Sequence, residues 1–310
     1  MSTADESRTT PGPTPVTNPP EVVLKPLPEE DWPSIDHIIT EDGAPVDNVF
    51  SEKQMRLLTE PLYSSWQPGH PFVALANVGV FYGVDLPPLV PDALLSLHVR
   101  MPENLFPKIN RSYFVWKYGK PPEVVVEVVS NKKGGEDTHK LQRYADMRVS
   151  HYVIFDPEHY LSDDDIRWFT LHSSVLRPAP LATDPGRPAV AMPEVGLGLS
   201  LWTGLYESTD AMWLRWTDLD GKLVPTGREN AAEAQTRAQA ESERARSESE
   251  RAQAASERAQ AESERAQAES ERAQAESERA QAESERADQA VAERDRLRDL
   301  LRRNGIDPDA

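Results

Sequence analysis

Cysteine is absent from the 310 residues. That excludes a disulfide framework, a thiolate metal site and a cysteine nucleophile, and it fits a reducing, cytoplasmic home. No stretch is apolar over the roughly 18 residues that a membrane span requires, so no membrane partner is expected. Positive charge is also scarce: 34 Lys and Arg stand against 52 Asp and Glu, a net charge of −18. A protein that coats nucleic acid by bulk attraction needs clustered cations that release counterions, so any contact with DNA must be local. One local surplus exists. Lys108, Arg111, Lys117, Lys120, Lys132 and Lys133 face only Glu123 and Glu127 in the same stretch, which reads either as a solvated loop or as a phosphate-facing surface.

Composition divides the chain. Residues 1–20, rich in Ser, Thr and Pro, lack a basic start and an apolar core, and read as a disordered leader rather than a signal peptide. From Ala238 to Arg286 a seven-residue unit recurs, clearest as AQAESER from Ala259, Ala266, Ala273 and Ala280, which predicts helix. Each Arg there, such as Arg265, has Glu262 three residues before it and Glu269 four after it. The seam of a coiled coil would be Ala259, Ser263, Ala266 and Ser270, side chains smaller than a stable dimer uses; Val291, Leu297, Leu300 and Leu301 offer more. A solitary charged helix and a homo-oligomeric coiled coil both remain open. The expected organisation is a leader at 1–20, an α/β domain at 21–226, a linker at 227–237, a heptad-repeat helix at 238–303 and a flexible end at 304–310.

Within the domain, Met55, Leu57, Leu58, Leu62 and Tyr63 give an apolar face to a helix over Ser51–Trp66. Strands are expected at 72–80, 93–99, 123–130 and 151–155, with a helix over 137–147, so the middle of the chain reads β-α-β with parallel strands. Further short strands are expected at 166–171, 212–216 and 222–225, the last two as an edge hairpin turning at Asp218–Gly221. The proline-bearing segment 178–193 reads as an extended connection, and Gly196-Leu197-Gly198 as a loop, because it lacks the third glycine of a dinucleotide fingerprint.

Glu127 sits among five valines in a strand that otherwise reads as buried on both faces. A carboxylate there needs a cation, a metal ion or its own proton. Alternation puts it on the side of Val125 and Val129. Asp92, directly before a strand, falls on the more polar face of that strand with Leu94, Ser96 and His98. Two carboxylates brought together from different strands suit Mg²⁺ or Mn²⁺, although an Asp after Pro is also a common turn residue and Glu127 could pair with an Arg. The seven histidines show no metal-ligand spacing, and no G-x-S-x-G elbow is present.

Pro91-Asp92, Glu127 in its valine strand, Ser130, Asp137, Lys140, Tyr144 and the run His151-Tyr152-Val153-Ile154-Phe155-Asp156-Pro157 together resemble the Uma-type restriction endonuclease family, a branch of the PD-(D/E)xK nucleases, over about Ser51–Trp216. The resemblance implies a restriction-endonuclease-like mixed central sheet flanked by helices, here with a long C-terminal helix added. It implies metal-dependent hydrolysis of DNA, with Asp92, Glu127 and the carbonyl of Val128 holding Mg²⁺ or Mn²⁺. The superfamily's lysine, two residues after the Glu, is replaced by Val129. The resemblance moves that role to Lys140 on the next helix, a position that also suits an ordinary surface lysine. Asp137 is expected to cap that helix rather than bind metal. The third acidic ligand stays open between Glu41 and Glu52. The alternative is an inactive nuclease-like module whose helical tail contacts partners.

Overall fold

In a computed structural model that describes residues 25–40, 48–184 and 186–303, the chain runs through α1 (Val49–Ser65), β1 (Phe72–Ala76), β2 (Val80–Phe81), β3 (Ala93–Leu97), β4 (Tyr113–Phe114) and α2 (Val115–Tyr118). It continues through β5 (Val124–Val128), α3 (His139–Met147), β6 (His151–Phe155), β7 (Ile166–His172), β8 (Val175–Pro178), β9 (Val190–Met192), β10 (Leu197–Tyr206), β11 (Thr209–Thr217) and α4 (Gly227–Arg303). The expected leader at 1–20, Glu41 and the end at 304–310 lie outside the described residues. Two units divide the chain, 1–231 and 232–310.

A six-stranded sheet ordered β1-β3-β5-β6-β7-β8 forms the centre of the first unit. Only β5 and β6 run parallel, joined through α3 as the β-α-β pattern requires; their neighbours pair antiparallel. Both central strands are buried along their whole length, which explains their unbroken valine and isoleucine. Alternation sends Val124, Val126 and Val128 into one apolar core with Leu58 and Leu62 of α1. Val125 and Val129 enter the other, with Tyr144 and Ala145 of α3. The sheet is thus covered by α1 on one face and α3 on the opposite one.

Beside α1 lies a second sheet, ordered β11-β10-β9. Gln54 of α1 bonds the backbone of Leu214 through both ends of its amide, at 2.8 and 3.0 Å, and the Trp216 indole donates to the Leu58 carbonyl at 2.7 Å. These bonds satisfy the edge of β11 and lock it to the helix. The expected turn at Asp218–Gly221 is present and folds 222–224 back on the end of β11, with Asp218 N donating to the Lys222 carbonyl at 2.8 Å and Val224 N to the Trp216 carbonyl at 2.9 Å; the correction is that the main partner of 209–217 is β10, through a turn at Glu207–Ser208. Leu197 and Gly198, expected in a loop, open β10, and the proline-bearing segment contains β9, because Val190, Met192 and Leu197 fill the α1-side core. Segment 72–80 breaks at Asn77, whose backbone (φ 52°) turns to donate to the carbonyls of Pro91 and Asp92.

Residues 227–237, expected as a linker, are the first turns of α4. A capping box starts the helix: the Thr226 hydroxyl accepts from Glu229 N at 3.1 Å, and the Glu229 carboxylate accepts from Thr226 N at 2.7 Å. The same carboxylate takes two hydrogen bonds, at 2.9 and 2.6 Å, from the buried Arg215 of β11. In the second unit α4 continues to Arg303 with every residue exposed. Among the described residues no helix is long and apolar enough to cross a membrane.

Candidate active site

The register of β3 against β5 pairs Ala93 with Val126. One step further along, Asp92 therefore lies across from Glu127, on the face that α3 covers. The Asp92 carboxylate accepts a 2.7 Å hydrogen bond from the Val128 amide, which fixes it at the end of β5.

Glu127 is only 1% exposed, so whatever holds its charge must come from the protein or from a bound ion. α3 brings two partners. The Tyr144 hydroxyl donates to Glu127 Oε1 at 2.5 Å, and Lys140 Nζ donates to Oε2 at 3.0 Å. Positions 140 and 144 are one turn apart on a helix, which lets both reach the same carboxylate. Burial pushes the Glu127 pKa up to about 8; Lys140 and the Tyr144 hydrogen bond oppose the shift, and the neighbouring Asp92 adds to it. Burial alone would lower the Lys140 pKa, but the carboxylates of Glu127 and Glu136 outweigh it and raise the value.

Glu136, which the sequence reading passed over, belongs to this cluster. Its Oε1 accepts from Lys140 Nζ at 3.3 Å, while its Oε2 is buried with no hydrogen-bond partner. Tyr152 of β6 fixes this loop by donating to the Glu136 carbonyl at 2.9 Å. A Cβ at Gly134 would fall 1.8 Å from the Glu136 carboxylate, so glycine leaves room for it there. The signal in the sequence was the spacing: Glu136 precedes Lys140 by one helical turn.

Other expectations are corrected. Asp137 does not cap α3; the capping position is Thr138, with no side-chain cap, and Asp137 instead meets Arg167 of β7 at 3.4 Å. Glu52 does not join Asp92 and Glu127. It pairs with Arg56 on α1, and the buried face of that helix packs into the other core. Asp156 closes the turn after β6 by accepting from the amides of Tyr160 and Leu161 at 2.8 and 2.7 Å. The basic stretch is split between the two ends of β5: Lys117 and Lys120 precede the strand, whereas Lys132 and Lys133 follow it in the loop leading to Glu136.

Among the described residues no three or more His, Asp and Glu side chains gather as an evident metal cage. Asp92, Glu127 and the unpartnered oxygen of Glu136 are nonetheless hard oxygen donors. Oxygen donors of this kind suit a small divalent ion that keeps several waters, and such an ion would add to the positive charge that Lys140 already brings to buried Glu127.

In this mixed α/β domain a buried carboxylate thus lies at the end of the central parallel pair, and a lysine reaches it from the crossover helix. Residues 43–172 match the family model described as "Uma2: Putative restriction endonuclease". A crystal structure described as "a putative nuclease belonging to DUF820 from Anabaena variabilis ATCC 29413" is 14% identical, with 46% of this chain and 75% of that chain covered and a TM-score of 0.30. No curated protein matches.

Proposed function

We propose that the domain hydrolyses DNA phosphodiester bonds with Mg²⁺ or Mn²⁺ held by Asp92, Glu127 and the Val128 carbonyl. The observation that carries this reading is the reach of Lys140 Nζ to within 3.0 Å of Glu127 Oε2. It supports the helix lysine as a replacement for the one missing at Val129. When bound, the ion would polarise the phosphate and neutralise charge that develops in the transition state. Lys140 would donate to a phosphate oxygen or orient the attacking water. Tyr144 would hold the plane of the Glu127 carboxyl group. Glu136, whose Oε1 accepts from Lys140 Nζ at 3.3 Å, would help to hold the lysine at the site. The match of residues 43–172 to a family described as restriction endonucleases supports DNA as substrate, and the lack of cysteine supports a cytoplasmic setting.

Purified full-length protein is expected to cut duplex or single-stranded DNA only with a divalent ion added, and to lose that cutting in Asp92→Ala and in Glu127→Ala. Cleavage that survives both substitutions, or none from the folded wild type, would sink the assignment.

The tail supports a second reading, in which α4 pairs with a copy of itself through Val291, Leu297, Leu300 and Leu301, all exposed in the single chain. Sedimentation of the full chain against a 1–231 truncation tests it. A full chain that is already monomeric rules it out.

A further inference from the structure

At the opposite end of the central strands from Glu127, where β3 finishes and β5 begins, lies a cavity of about 960 Å³. That is the size of a small-molecule site. Five Lys and Arg line it against two Glu, in a chain whose net charge is −18. Two of these cations have partners: Lys120 bonds Glu123 and the Leu97 carbonyl, and Arg148 bonds the Ser173 carbonyl and the Ser174 hydroxyl. Lys25, Arg100 and Lys117 supply the surplus. Arg100 has no ion-pair partner among the described residues. Lys117 donates only to the Ile109 carbonyl and the Asn110 side chain, and burial lowers its pKa despite the distant help of Glu29.

The rest of the lining is largely apolar, with Met101, Tyr118, Pro121 and Pro122 among it. An imidazole also lines it. His98 is held just past β3 in the left-handed region (φ 59°), its amide bonded to the Pro71 carbonyl at 2.8 Å and its exposed imidazole 4.1 Å from His70. A non-glycine residue in that conformation costs of order 1 kcal/mol, and such costs cluster at ligand sites. Between the lining residues Tyr118 and Lys120, Gly119 (φ 80°) lets the chain pass close to the segment that carries Lys25: a Cβ there would fall 2.7 Å from Pro26 N. The Leu27 amide, bonded to the Trp116 carbonyl at 3.0 Å, pins the same segment and so positions Lys25.

We propose that this cavity is a second ligand site, for a small anion with a flat apolar body, of the nucleoside monophosphate class. The phosphate meets Arg100, Lys25 and Lys117, and the base lies against His98, Met101 and the prolines. The site is independent of the nuclease reading, because none of its residues belongs to the Glu127 cluster.

Calorimetric titration of the full chain with deoxyadenosine monophosphate, deoxyadenosine and inorganic phosphate tests it. The monophosphate should bind at least tenfold more tightly than either fragment. Arg100→Glu and Lys25→Glu should each weaken it tenfold or more; both side chains are exposed, and circular dichroism should show an unchanged fold. Glu127→Gln should leave the affinity within twofold. No binding to the folded wild type overturns the proposal. So does inorganic phosphate binding as tightly as the nucleotide, or binding that Glu127→Gln abolishes while both charge reversals keep it.

Discussion

The two faces of β5 differ in kind. On one, Val124, Val126 and Val128 pack with α1 and the second sheet into an apolar core. On the other, Val125 and Val129 flank a carboxylate buried to 1% exposure. The first face is what hydrophobic burial alone would select. The second carries a desolvation cost and needs Lys140, Tyr144 and the Glu136 loop around it, an arrangement with no packing advantage over a sixth valine. A single strand therefore divides stability from chemistry between its sides.

Substitutions on each face should separate accordingly. The largest effect belongs to the polar face: Glu127→Ala or Asp92→Ala should lower DNA cleavage by roughly 10³-fold or more, equivalent to about 4 kcal/mol, while far-ultraviolet circular dichroism stays unchanged. On the apolar face, Phe155→Ala removes a fully buried ring and should cost about 3–5 kcal/mol in urea unfolding. A folded Phe155→Ala protein whose cleavage fell as far as that of Glu127→Ala would blur the division.

The polar face should also make stability depend on pH. Glu127 has a folded pKa raised to about 8 from a reference of 4.5, so between those values the native state binds the extra proton. Metal-free stability should fall as pH rises from about 5 to 8, by on the order of a few kcal/mol, and Glu127→Gln should flatten the slope. Chemical denaturation at several pH values in chelator checks this; an equally steep fall in Glu127→Gln would place the titration elsewhere. Arg215→Ala tests the anchor of α4. It strands Glu229 and should cost about 1–3 kcal/mol. The smallest effect is expected from removing 232–310: those residues are exposed throughout, so the unfolding free energy of the remaining domain should shift by less than about 0.5 kcal/mol.

Much of this was legible in the sequence because it rests on local periodicity. The valine run at β5, the apolar face of α1, the crossover to β6 and the heptads of α4 each announce their element within a few residues. The alternation that set Glu127 beside Val125 and Val129 holds in the fold. The second sheet was not legible. Its strands find each other through the α1-side core, and Gly196-Leu197-Gly198 looked like a loop because its pairing depends on Met192, Ala191 and Thr217, supplied by the two neighbouring strands. Glu136 escaped notice for a related reason: its loop is held by Tyr152 from the next strand. Asp137 has the right chemistry for a cap, but Arg167 draws it away.

The central claim is that Glu127 is charged for the sake of a bound ion. Calorimetric titration of Mn²⁺ into the full-length protein and into Glu127→Gln tests it most directly. The account predicts binding by the wild type and at least a tenfold loss of affinity in a Glu127→Gln protein that remains folded. Equal affinity in the two proteins would contradict it and return Glu127 to a structural partner of Lys140 and Tyr144.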